Sequence, residues 1–218
     1  NTPPMLEAHY GIPMCGAVIH AINTRLDPAT IAFQLDHADS QILLFDQELS
    51  LVIKEVLELC KVNPLLVCYQ DKQLDTKDLS KDTNLSSHKI IDYENFIEVG
   101  DPDYQWLMPE NEWDAISVGY TSGTTGDPKG VVSHHRGAYL IAQGTALVAS
   151  MPKHSVYLWT LPMFHCNGWC FPWTLSAIIG THVCLRQVRA EPIWKSIKDN
   201  KVRHLCGAPI IMSIIISM

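Results

Sequence analysis

The sequence predicts an α/β protein, with a mainly parallel sheet flanked by helices. Three observations carry that expectation. β-rich runs alternate with helix-like segments along the chain. Several of the runs are apolar throughout, as strands covered on both faces must be. One of them leads directly into a glycine-rich loop, which in open parallel sheets marks the carboxyl end of a strand.

Each element follows from local signals. Residues 16–23, "GAVIHAIN", form a short β-rich run. Asp27-Pro28 then supplies an N-cap with proline at the first helical position, opening "ATIAFQLDHAD" as a helix. Residues 41–45, "QILLF", read as a buried strand. Residues 49–60 read as an amphipathic helix with Val52, Val56 and Leu59 on one face, and residues 64–69 as another strand. Residues 70–87 turn polar without periodicity, so a solvated surface loop is expected there. After a short helix near "YENFIEV", residues 115–120 form a strand. "HRGAYLIAQGTALVAS" follows as a helix and residues 155–161 as a strand. "GWCFPWTLSAII" is apolar nearly all round, so one buried helix is expected in spite of Pro172. "THVCL" and "RHLCG" read as strands on either side of the helix "PIWKSIKDN", and "PIIMSIIISM" ends the chain as a helix.

Composition narrows the function classes. The chain has 218 residues, enough for one large domain or two small ones; 47% hydrophobic and 18% charged residues exclude a disordered chain. A net charge of −7 without a basic stripe argues against nucleic acid as a partner. Seven cysteines, with no CxxC pair and several in apolar runs, predict buried free thiols in a reducing compartment. The apolar run "CGAPIIMSIIISM" is shorter than the roughly 20 residues a spanning helix needs. No transmembrane segment or secretory leader is evident, so a soluble intracellular protein is expected. Both ends look cut: the chain opens without Met, and the last helix lacks a cap.

Chemistry concentrates in "YTSGTTGDPKGVV", residues 120–132. Gly123, Gly126 and Gly130 allow tight turns and bring backbone N–H groups close to a ligand. Thr121, Ser122, Thr124 and Thr125 add hydroxyl donors, and Lys129 adds a movable cation. Donors converging beside one positive charge suit a polyphosphate. A Walker A loop requires GK[ST], whereas Lys129 here lies between Pro128 and Gly130; a hydrolase elbow requires GxSxG, and Ser122 is one place off.

The stretch "YTSGTTGDPKGVVSHH" resembles the phosphate-loop signature of the adenylate-forming superfamily: acyl-CoA synthetases, luciferases and peptide-synthetase adenylation domains. "GIPMCGAVIHAINTRLDPATIAFQLDHAD", "LPMFHCNGWCFPW" and "HLCGAP" resemble other blocks of the same family, so the likeness covers the whole chain. The detail of "FHCNGWC" and "NTRLD" is similar to plant peroxisomal acyl-activating enzymes that take short- or medium-chain or aromatic acids.

The resemblance implies residues 1–218 to be part of an AMP-binding large domain, truncated at both ends. It implies ATP-dependent conversion of a carboxylic acid to an acyl-adenylate and then to a CoA thioester. ATP would be held by Thr121, Ser122, Gly123, Thr124, Thr125, Gly126 and Lys129. His165 would stand beside the adenylate and carboxylate, and Trp169, Gly207 and Ala208 would line the acyl pocket. Mg2+ would accompany ATP, with its protein ligand outside this chain, and CoA would be the acceptor. The family's catalytic lysine would lie beyond Met218, so the chain alone is expected to be inactive. Peroxisome or cytosol is the implied location, although the final Ile216-Ser217-Met218 is not a tail of the SKL type. The alternative is a non-catalytic remnant that binds phosphate or a partner.

Other readings carry less weight. His165, Cys166 and Cys170 lack an obvious fourth ligand for zinc. Nothing beyond a histidine neighbour supports Cys166 as a nucleophile. His134 and His135 suit capping or solvated roles better than catalysis, Trp173 suits the core, and Trp169 fits core or pocket equally.

Overall fold

The computed structural model describes residues 1–71, 88–121 and 126–217, apart from the side chains of Cys166 and Asn167. All of the 70–87 segment except Gln70 and Asp71 therefore lies outside the described residues. The chain divides into two compact units, residues 1–21, 106–119 and 131–218 in one and residues 22–105 and 120–130 in the other.

In the second unit, α2 (Pro28–His37) starts as its sequence dictates. The Asp27 carboxylate accepts the Thr30 amide at 3.0 Å and the Thr30 hydroxyl at 2.7 Å. These bonds, the hydroxyl's first, hold that carboxyl below its usual range. Strands β2 (Ile42–Asp46), β3 (Leu65–Tyr69) and β4 (Ile90–Asp92) pair in that order, all parallel. Helix α3 (Ser50–Leu59) and α2 pack into the core of Ile31, Leu35, Leu43, Phe45, Ile53, Val56 and Leu66. Burying each such side chain is worth about 1.5–3 kcal/mol. The expected α3 face needs correction. Val56 is fully buried, but Leu59 in the last turn is exposed, and Ile53, three residues before Val56, takes the inward position.

The first unit opens with α1 (Pro3–Met14), a helix the sequence signals do not announce. Prolines at its first two positions tolerate the missing N–H donors. Tertiary bonds fix it: the Tyr10 phenol donates to Pro172 O at 2.6 Å, and the Trp173 indole donates to His9 O at 3.1 Å. Strand β1 (Ile19–His20) is shorter than the expected 16–23. It pairs parallel with β5 (Ala115–Thr121), through Ile19–Ser117 and His20–Val118. β6 (Lys129–His134) completes that sheet, in the order β1-β5-β6. Helix α5 (His135–Val148) follows, after the short α4 (Tyr93–Glu98) of the second unit. His134 is its N-cap, with Nδ1 accepting the Gly137 amide at 2.9 Å, as a capping role requires.

The third sheet has β7 (Val156–Leu158) between β8 (Thr181–Val183) and β9 (His204–Leu205), both pairs parallel. The α/β class is as expected; among the described residues the strands form three small sheets, with parallel pairing of β1 with β5, of β3 with β2 and β4, and of β7 with β8 and β9. The single buried helix expected over "GWCFPWTLSAII" is instead two pieces, α6 (Cys166–Trp169) and α7 (Phe171–Ala177). Gly168, Trp169 and Cys170 take φ of 57°, 56° and 60°, a left-handed elbow that no continuous helix contains. Pro172 is accommodated because it falls in the first turn of α7. Helix α8 (Ala190–Asn200) precedes β9, and α9 (Pro209–Ile216) ends the unit with none of its residues fully buried. The expected burial of the thiols is corrected too: Cys15 is exposed, and Cys60, Cys68, Cys170, Cys184 and Cys206 are half-buried thiols outside any disulfide.

Candidate functional site

The glycine-rich loop leaves the carboxyl end of β5, where Thr121 is the last strand residue, and returns at Lys129, the first residue of β6. Thr121, Gly126 and Lys129 are all exposed. Ser122, Gly123, Thr124 and Thr125 lie outside the described residues. Tyr120, immediately before Thr121, is half-buried, and its hydroxyl is 2.7 Å from His37 Nδ1. Burial raises the Tyr120 phenol above its ordinary range, so it keeps its proton near neutrality. His37 also borders an open hollow of about 400 Å³ lined by Phe33, Asp36, Lys61 and Val62.

The residues expected around the acyl group belong to the first unit. His165 follows the carboxyl end of β7, and Gly207-Ala208 follows the carboxyl end of its parallel neighbour β9. The Thr160 hydroxyl donates to Cys206 O, tying the two strand exits together. Asn1 braces the same segment. Its side-chain amide donates to Trp159 O and Leu161 O, both at 2.8 Å, and its Oδ1 accepts the Met163 amide at 2.9 Å.

His165 is exposed; its amide donates to Pro162 O at 3.2 Å, and its carbonyl accepts from the Gly168 amide at 2.9 Å. Trp169, which fitted core or pocket equally, is 56% exposed and therefore not a core residue. Trp173 is half-buried, packed edge-on against the His9 ring with centroids 5.9 Å apart. Gly207 has a steric reason to be glycine: a Cβ there would stand 2.7 Å from the Ile211 Cβ in the first turn of α9.

Behind this segment lies a residue that the motifs did not flag. His182 of β8 stacks on Trp159, with rings 6.0 Å apart and nearly parallel, and its Nδ1 accepts the indole N–H at 3.1 Å. Burial lowers its pKa to about 4, so it is a neutral acceptor at pH 7. Burial likewise pushes the Cys184 thiol up to about 11, which leaves it protonated and unreactive near neutrality. Only the pairing of β7 with β8 brings His182 to Trp159, so no local spacing could have found it.

Among the described residues no group of three or more His, Cys, Asp or Glu side chains is placed to hold a metal ion. The Cys166 side chain, part of the zinc and nucleophile readings, lies outside them.

Parallel strands alternating with helices, with a glycine- and hydroxyl-rich sequence after the carboxyl end of β5, define an α/β protein of the open parallel-sheet class. The AMP-binding enzyme family matches residues 1–218, and the chain belongs to that family. An acetate/butyrate–CoA ligase of Arabidopsis thaliana is 46% identical over the whole chain, which spans 39% of that protein. A trans-cinnamate:CoA ligase of Petunia hybrida is 39% identical over 99% of the chain, again 39% of the relative. Among solved structures, a fatty acyl CoA synthetase of Mycobacterium tuberculosis superposes with a TM-score of 0.75 at 21% identity, covering 98% of this chain and 38% of that one. An o-succinylbenzoate CoA synthetase of Bacillus subtilis, in complex with ATP and magnesium ion, gives 0.72 at 20% identity, covering 98% and 38%. The likeness to these structures shows a shared fold. The chain thus spans about two fifths of the length of the curated relatives it matches.

Proposed function

We propose that this chain forms the phosphate-binding part of an ATP-dependent acid–thiol ligase. The observation that carries this reading is the glycine- and hydroxyl-rich sequence of residues 121–130, which follows β5 in a chain of the AMP-binding family.

In the reaction, a carboxylate oxygen attacks the α-phosphorus of ATP. The bond to the β-phosphate oxygen breaks, pyrophosphate leaves, and an acyl-adenylate forms. The CoA thiol then attacks the acyl carbon; AMP leaves with the bridging oxygen, and the thiol proton passes to solvent. The contribution of this chain is positioning and charge neutralisation. Thr121, Ser122, Thr124, Thr125 and the backbone amides of Gly123 and Gly126 would hold the β- and γ-phosphates, with Lys129 offsetting their charge. His165 would lie beside the carboxylate, and Trp169, Gly207 and Ala208 would border the acyl group. Mg2+ would arrive with the nucleotide phosphates, and the assisting lysine would come from outside these residues. Relatives named for acetate, butyrate and trans-cinnamate favour a short fatty or aromatic acid. Peroxisomal names among them favour that compartment. Among the described residues no helix is long and apolar enough to cross a membrane.

The test is pyrophosphate release by the protein carrying this sequence, with acetate, butyrate, a medium-chain acid and cinnamate each supplied in turn. Acid-dependent release and a CoA thioester product are expected. Lys129→Ala should raise KM for ATP roughly tenfold to a hundredfold, the loss of one charge-assisted bond. ATP binding without turnover on any acid would favour the non-catalytic phosphate-binding alternative instead.

A further inference from the structure

We infer that His37 is a positioning residue for the nucleotide, acting through Tyr120 to fix the strand end from which the glycine-rich loop departs. The inference rests on the phosphate-binding reading of residues 121–130.

Tyr120 directly precedes Thr121, the first hydroxyl donor of the loop. The Tyr120 backbone is held in β5, while its phenol reaches 2.7 Å to His37 Nδ1 with the two rings edge to face, centroids 5.7 Å apart. Burial raises the phenol's pKa, so it keeps its proton near neutrality and can share a hydrogen bond with His37 Nδ1 in either direction, as the imidazole tautomer dictates.

A hydrogen bond at an exposed site positions something only if its far end is rigid, and His37 meets that condition. It is the last residue of α2, and its ring stacks on Phe33 one turn back, with centroids 5.6 Å apart and planes 23° from parallel. The helix beneath is held at both ends. Asp27 caps its start. Near its close, the Asp36 carboxylate accepts the Lys61 and Val62 amides at 2.7 and 2.9 Å. Between these points Ile31, Ala32, Gln34 and Leu35 are buried. The imidazole is therefore a fixed post, and the side chain just before the loop is bonded to it. Phosphate donors must be held to within about 0.5 Å of their productive geometry, so a bond that fixes the strand end should be felt in nucleotide affinity.

The experiment is steady-state kinetics of the protein carrying this sequence, with ATP and acid varied separately. Tyr120→Phe and His37→Ala should each raise KM for ATP by about three- to tenfold, the loss of one neutral hydrogen bond, and leave KM for the acid where it was. The double variant should be no worse than either single one, because both delete the same bond. His37→Asn, whose side-chain amide offers both a donor and an acceptor near the position of Nδ1, should recover most of the affinity. Should His37→Ala lower the melting temperature sharply, Tyr120→Phe carries the test alone. An unchanged ATP KM in Tyr120→Phe overturns the inference, as does an equal rise in the acid's KM. Lys129→Ala, measured alongside, separates the two levels. If it weakens ATP while the His37 and Tyr120 variants are silent, only the positioning role fails; if it too is silent, the phosphate-binding reading fails and takes the inference with it.

Discussion

At the scale of single residues, Gly168 shows how a missing methyl shapes the segment that carries His165 and Trp169. Its φ is 57°, and a Cβ built there would stand 2.7 and 2.9 Å from two carbons of the Trp159 six-membered ring. That ring cannot swing aside easily, because Trp159 is fully buried and its indole donates to His182. Strain and overlap therefore act together. Gly168→Ala should destabilise the protein by about 2 kcal/mol, read as a lower denaturation midpoint at constant m-value. Trp159→Phe, which shortens the ring, should restore part of that loss when combined with it. An unmoved midpoint in Gly168→Ala would show that the indole yields and the contact is soft.

At the scale of elements, what could be read in advance divides along a physical line. Helix α2 was legible because Asp27 and Pro28 act within one turn, and β2 and β3 were legible because their apolar runs are continuous. Helix α1 was not, since its anchors are the carbonyl of Pro172 and the indole of Trp173, more than 160 residues away. Strands β4 and β6 were missed for other reasons: β4 has only three residues, and β6 begins inside the glycine-rich motif and is exposed along most of its length. The left-handed elbow at residues 168–170 followed no local propensity, because two of its three residues are not glycine. In the candidate site the composition of the loop was legible, whereas His37 was not, its partner being 83 residues distant. Helix α8 offers a direct test of element-end chemistry. It closes on Lys201 in the left-handed conformation, φ 54° and ψ 43°, with an exposed side chain. Glycine adopts that conformation without the Cβ penalty, and little packing is lost on removing an exposed side chain. Lys201→Gly should therefore raise stability by about 1 kcal/mol in chemical denaturation. A fall would mean that the lysine stem contributes more than its backbone costs.

At the scale of the whole molecule, the first unit holds two histidines that are disfavoured as cations, one on α1 and one on β8. His182 is lowered to about 4 by burial. His9 is lowered by burial as well, opposed by its hydrogen bond to Met5 O, and its Nε2 has no partner among the described residues. Both folded pKa values lie below the ordinary 6.5, so below that pH the unfolded chain binds more protons than the folded one. Their stabilising contribution is complete above about pH 6.5 and is lost as pH falls below it, for His182 down to about 4. The melting temperature should accordingly decline between pH 7 and 4.5. His182→Asn retains an acceptor for the Trp159 indole but cannot take up the proton, so it should flatten the slope in that window. The part of the slope that survives in His182→Asn should come from His9 and, at the acid end, from carboxyls held low such as Asp27. A wild-type melting temperature constant over the range would mean that neither imidazole is held neutral, and an undiminished slope in the variant would remove His182 from the account.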